Sequence, residues 1–165
     1  MTQPTHLQAV PDQPVYKQYR RPITVILADL SKPIPQTYLS SRKQGGSKLL
    51  YIPWHNVCKL LDRCAPGWQG EVTHIHTTSD RIFVTYRLSI HAEEGVFIRE
   101  ATGTELLKEE KSVKGEDGRP LRDAQGKPVT TIAELAYGDP SSNAESMAFR
   151  RAAAKFGLGL YLYDR

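Results

Sequence analysis

Between Ser79-Asp80 and Glu93-Glu94-Gly95 runs a stretch in which every second residue is large and apolar. Ile82, Val84, Tyr86, Leu88 and Ile90 alternate with Phe83, Thr85, Arg87 and Ser89. Side chains of an extended chain point to opposite faces in turn, so this strand has one apolar and one mostly polar face. The flanking segments are short enough to be hairpin turns. The pattern therefore predicts an antiparallel meander of three strands, about Trp68 to Thr78, Arg81 to His91 and Val96 to Leu107. A sheet with one apolar face needs a second layer to bury it. Ser142 to Leu158 supplies one: it reads as a helix opened by Ser142 with Glu145 three residues on, the spacing of a capping box, and closed by Gly157 and Gly159. At about 100° per residue, Phe149 and Phe156 lie one above the other with Ala152 and Ala153 beside them, and that stripe faces the sheet. Arg150, Arg151 and Lys155 fall in an arc of roughly 140° on the other side. The expected fold class is α+β, a β-β-β-α core with an antiparallel three- to four-stranded sheet and a long helix packed across it.

The rest of the chain divides around this core. Residues 1–22 hold Pro4, Pro11, Pro14 and Pro22 among polar residues, a composition too poor in apolar surface to offset its ordering entropy, and are expected to form a flexible arm. Ile23 to Leu30 is a short apolar run of helical character ended by Pro33 and Pro35. Ser40 to Ser47 reads as a basic, glycine-containing loop, Lys48 to Ile52 as a short strand, and Pro53 as the first-turn proline of a helix from Trp54 to Ala65. Val57, Leu60 and Leu61 form that helix's buried stripe. In residues 108–128, 11 of 21 are charged and Gly115, Gly118 and Gly126 punctuate the run, so the segment reads as an exposed, flexible loop or ribbon inserted into a domain spanning 23–165.

A length of 165 residues with 39% hydrophobic residues suits one core. The formal charge is +4, unremarkable in itself, but it is unevenly placed. Met1 to Lys48 carries seven Lys/Arg against two Asp/Glu, or +5, leaving −1 for the other 117 residues. A concentrated positive field invites a polyanion. The sequence offers no cationic start followed by an apolar run and no apolar stretch near the ~18 residues of a membrane span. The expectation is a soluble, cytoplasmic protein with no membrane partner. Cys58 and Cys64 lie six apart on a helix and point to different faces, which suits buried, reduced thiols rather than a disulfide or a zinc quartet.

His74 and His76 share one face of a strand, a spacing that fits metal ligation and raises the rival reading of a metal-dependent nuclease. Asp80, Glu93 and Glu94 sit in turns, however, and leave a carboxylate centre without its strand-borne partners. There is no Gly-x-Ser-x-Gly elbow and no phosphate-binding glycine loop. No enzyme, cofactor or metal is read here. A further reading is a plain nucleic-acid-binding or DNA-end-protecting module.

ESMAFRRAAAKFGLGLYLYD, Glu145 to Asp164, resembles the closing helix of the Rad52 family, in which a basic pair and small residues precede a Phe-Gly step. Upstream, YLSSRKQGGSKLLYIPWHNVCKLLD, Tyr38 to Asp62, resembles the same family's Ser-Ser-Arg segment, glycine-rich loop, Tyr-Ile strand and following helix. Two blocks in the right order, with a meander between them, cover about Ile34 to Asp164. The resemblance is to a single-strand DNA annealing protein of bacterial or phage type. It implies a ring-forming annealing domain, single-stranded DNA in a basic groove, a homo-oligomeric ring and a single-strand-binding protein as partners, and a role in recombination and repair. Carried over residue by residue, it places Arg42, Tyr51, Arg150 and Arg151 in that groove. Lys43, Lys48 and Lys155 are added by charge and position. Ser141, Ser142 and Asn143 stand where the family often carries lysines of a second DNA site.

Overall fold

The computed structural model describes residues 20–44, 46–134 and 139–164. The core of the architecture is an antiparallel sheet of β3 (Gln69–Thr77), β4 (Arg81–Ala92) and β5 (Gly95–Leu106), in that spatial order. The alternation of β4 is realised residue by residue, with Ile82, Val84, Tyr86, Leu88, Ile90 and Ala92 all buried. A two-residue turn at Glu93-Glu94 joins β4 to β5 through the pair Ala92↔Gly95. In β3 the register slips between Val72 and His74, leaving Thr73 as the extra residue of a bulge.

The covering layer is α3 (Pro140–Ala154). It begins two residues earlier than the Ser142 capping box predicts. Asp139 is the cap, its carboxylate accepting from the Ser141 N–H at 3.0 Å, and Pro140 occupies the first turn, where its missing N–H costs nothing. The helix also ends early, at Ala154. Lys155 to Gly159 turn, and the positive φ of Gly157 (100°) and Gly159 (66°) lets the chain reverse so that Phe156 and Leu158 still reach the core. Ala144, Ala148, Ala152 and Ala153 are fully buried, and Phe149 packs on Tyr86 (centroids 5.0 Å) and Trp68 (5.6 Å). The helix sits so close to β5 that a Cβ on Gly103 would lie 2.0 Å from the Ala144 carbonyl oxygen.

α1 (Ile23–Leu30) and α2 (Trp54–Cys64) complete the core through Ile26, Leu30, Val57 and Leu61. Leu60 is only partly buried. Residues 1–19 of the expected arm lie outside the described residues. The end of that arm is tied down: Arg21 donates to the Cys64 carbonyl (2.9 Å) and pairs with Asp29, and its own carbonyl accepts from the Glu93 N–H (3.0 Å).

Two hairpins project from this core. Ser40 to Ser47, read from sequence as a loop, is in fact most of one: β1 (Ser40–Gln44) pairs antiparallel with β2 (Ser47–Tyr51). Its first strand, SSRKQ, has no apolar alternation, so backbone pairing across a glycine-containing turn forms the strand without a sequence signature. The charged insert runs as a ribbon in which β6 (Lys108–Ser112) pairs with β7 (Thr130–Glu134) and tight turns at Gly118 and Gly126 fold the stretch between them. Among the described residues, no helix is long and apolar enough to cross a membrane.

Candidate nucleic-acid interface

The β1–β2 hairpin stands beside α3, and the cleft between them gathers residues from distant parts of the chain. Ser40 pairs with Tyr51 and Arg42 with Leu49, so Arg42 and Tyr51 are diagonal neighbours on one face of the ribbon. The Arg42 guanidinium lies 5.9 Å from the centroid of the Tyr51 ring. From the other side Arg150 of α3 reaches the same ring at 5.2 Å. Both distances are within cation–π range. The cleft is lined by Arg42, Tyr51, Arg150, Arg151, Met147 and Tyr163, over a floor that includes Ile52, Val57 and Leu158.

Arg150 is the electrostatic centre of this cleft. Its Nε donates to the Ser146 carbonyl at 3.0 Å, which fixes the side chain along the helix. Burial presses its guanidinium below the usual value, the Tyr163 hydroxyl opposes this, and Arg42 and Arg151 add like-charge repulsion. It remains a cation nonetheless. Among the described residues, none of the ion pairs engages Arg42, Lys43, Lys48, Arg150, Arg151 or Lys155; the paired cations are Arg21, Lys32, Arg87, Lys111 and Arg119.

Of the seven residues named from sequence, four come together here: Arg42, Tyr51, Arg150 and Arg151. Lys43 and Lys48 face each other near the hairpin tip, exposed and outside the cleft's lining. Directly opposed like charges repel, so this end of the hairpin gains from an anion's arrival. Lys155 departs from the grouping. Its ammonium donates to the Glu100 carbonyl at 2.5 Å, and Arg151 donates to the Thr102 carbonyl at 3.0 Å. Glu100 and Thr102 alternate along β5, and their carbonyls point away from β4, at the strand's outer edge. The basic triplet therefore divides, with Arg150 in the cleft, Lys155 at the sheet edge and Arg151 lining both depressions.

Sequence reasoning missed Tyr163, Leu162 and Met147. Tyr163 and Leu162 arrive on a 3₁₀ turn, Leu160–Tyr163, that Gly159 aims back at the hairpin. The signal available was the run LYLY, Leu160 to Tyr163, directly after Gly159. His74 and His76 do share the outer face of the sheet, opposite Thr85 and Phe83. Among the described residues, no group of three His, Cys, Asp or Glu is placed to hold a metal ion.

These features define an α+β domain of sheet-and-helix plan in which a hairpin and the helix beside it bring together three arginines that make no ion pair among the described residues. The sequence profile of the Rad52/22 family of double-strand break repair proteins matches residues 22–165. Two Arabidopsis thaliana proteins are similar to this chain. DNA repair RAD52-like protein 1, mitochondrial, is 34% identical over 145 residues, which cover 87% of this chain and 68% of that protein. DNA repair RAD52-like protein 2, chloroplastic, is 36% identical over 147 residues, covering 87% of this chain and 61% of that protein. The chain belongs to the Rad52/22 family.

Proposed function

We propose that this chain binds single-stranded DNA and anneals complementary strands in recombination and repair. The observation that carries the reading is Arg150, partly buried, held in place and without a carboxylate, beside the exposed Arg42 and Arg151, which likewise make no ion pair among the described residues. A desolvated arginine fork is poorly stabilised alone, and a phosphate supplies the charge and the two acceptors it lacks. Arginines that grip phosphates leave base edges free to pair, as annealing requires. No bond is made or broken in that process, so the reading calls for no catalytic residue, cofactor or metal. Family membership supports the repair context.

The same reading takes Arg42, Tyr51, Arg150 and Arg151 as strand contacts, with Lys43, Lys48 and Lys155 as flanking cations. It also takes the working form to be a ring of identical subunits meeting along their sheet edges, with a single-strand-binding protein as a further partner. Cys58 and Cys64 are unpaired thiols, which suits a reducing compartment such as the cytoplasm. Two complementary labelled strands, mixed with the protein without nucleotide or metal, should form duplex faster than alone. Affinity for one strand should fall steeply between about 50 and 500 mM salt. Binding without faster duplex formation would leave a non-annealing binding module instead.

A further inference from the structure

We infer that Trp54 is a stacking platform for a base of the bound strand, extending the arginine–tyrosine cleft toward the start of α3. The inference rests on the reading of the chain as a single-strand binder.

Trp54 opens α2 and occupies the same face as Val57, Cys58 and Leu61, at i, i+3, i+4 and i+7. Val57 is 1% exposed and Leu61 0%, yet Trp54 is 54% exposed. The other tryptophan shows what a satisfied indole looks like in this fold. Trp68 stacks on Phe149 at 5.6 Å and 16°, and its Nε1–H donates to Asp62 at 2.7 Å. Trp54 has His55 beside it in a T-shaped contact at 6.0 Å, and its indole N–H has no protein acceptor among the described residues. Aromatic side chains carry much of the burial energy of cores and interfaces, and a half-wet indole leaves a large part of that unused.

The surroundings specify the occupant. Trp54 shares a shallow depression with Ser142, Glu145, Ser146 and Phe149, between the start of α2 and the first half of α3. That depression borders the cleft, because Ser146 is the residue whose carbonyl holds Arg150 Nε. Tyr51 precedes Trp54 by three residues, at most about 11 Å of chain. A strand with its phosphates on Arg42 and Arg150 therefore has a base within reach of the indole. The Glu145 carboxylate repels a phosphate placed here but accepts from a base's exocyclic amine, and the two serine hydroxyls serve either edge of a base. Phosphates on one side and bases on the other is the division a single-strand groove makes, and stacking tolerates any base because each has a π face.

The test uses the full chain, oligodeoxythymidylate and an abasic strand of equal length. Binding of oligodeoxythymidylate should quench the tryptophan emission of the native protein. Trp54→Phe should bind within about threefold of native while its remaining emission, from Trp68, stays unquenched. Trp54→Ala should lose roughly fivefold to a hundredfold in affinity for oligodeoxythymidylate, with particle size unchanged and abasic-strand affinity equal to native. Three results would each overturn the inference while leaving annealing intact: undiminished oligodeoxythymidylate binding by Trp54→Ala, persistent quenching in Trp54→Phe, or a changed particle size in Trp54→Ala, which would place the indole in a subunit interface. A native protein that binds neither strand would instead overturn the annealing reading, and this inference with it.

Discussion

Arg87 and Arg150 occupy opposite sides of the molecule. Arg87 stands on the outer face of the sheet between Glu100 (2.8 Å) and Glu71 (3.1 Å), in a three-strand ladder of alternating charge. The Glu100 hydrogen bond and charge, with Glu71 behind them, hold its guanidinium above the usual value. Arg150 stands against the hairpin with a tyrosine ring and a backbone carbonyl for company, and burial moves it the other way. The two residues are equal in any count of charge. They differ in availability: Arg87 is already neutralised by the fold, whereas Arg150 is held ready and unneutralised. A site for a polyanion is found where cations lack carboxylates, which a tally of Lys and Arg does not reveal.

The largest expected effect comes from emptying the available side. Arg150→Ala with Arg151→Ala should weaken single-strand binding at least tenfold, since a hydrogen bond to a charged group is worth roughly 1.5–3 kcal/mol. The fold should persist, because alanine is the best helix former and the Phe149 face is untouched. Arg42→Ala should act in the same direction from more than a hundred residues away in sequence. If filter binding shows the helix pair at native affinity, the cleft is not the strand's path.

A subtler change makes the available side resemble the neutralised one. Met147 lines the cleft, and Met147→Glu would give Arg150 the carboxylate it lacks. At up to about 1 kcal/mol for such a pair, affinity should fall by up to about fivefold with both arginines still present. The converse substitution, Arg87→Ala, should lower the thermal midpoint slightly and leave strand affinity at its native value. Weakened binding in that variant would move the interface to the outer sheet face.

Asp29 neutralises Arg21 and Lys32 as the glutamates neutralise Arg87. Its carboxyl is lowered from 3.8 to about 2, first by the Lys32 hydrogen bond and then by that of Arg21. A carboxylate depressed in the folded state adds stability above its unfolded value and loses it as pH falls through the folded one. Asp29→Asn should therefore melt below the native protein at neutral pH, and the two melting curves should converge as the pH approaches about 2. Strand affinity at neutral pH should not change. The smallest effect belongs to Lys111→Ala in the insert, where the lost cation already faces Glu109 at 2.9 Å; binding by this variant should match native within error.

The sheet was legible because β4 must hide one face, and the order Ile82, Val84, Tyr86, Leu88, Ile90 admits only period two. The layer above it was legible from Phe149 and the alanines. Its ends were not, because Ser142 with Glu145 imitates a cap while Asp139-Pro140 provides the real one, and because Phe156 keeps its helical spacing after the helix has stopped. The first strand of the hairpin escaped because SSRKQ pairs through its backbone alone. The grouping of Arg42, Tyr51, Arg150 and Arg151 followed from the Rad52 resemblance, and the geometry brings those four to one cleft. Lys155 stands apart from those four for a simple reason: a helical arc gives direction around the axis, and does not show that a lysine at the helix's end will bend to a strand-edge carbonyl.

Gly103 bears on how much sequence change this fold tolerates. A Cβ at Gly70 would meet a side chain, the ring of Tyr86, whereas one at Gly103 would meet the backbone of α3, at the Ala144 oxygen and 2.6 Å from the Ala148 nitrogen. A rigid obstacle leaves no local remedy, so even alanine must lift the helix that carries Arg150 and Arg151. In a saturation scan, positions 103, 144, 148 and 152 should trace the helix's footprint as a line of sites that accept only the smallest residues. That line would separate sequences able to keep both arginines in place from those that only encode them.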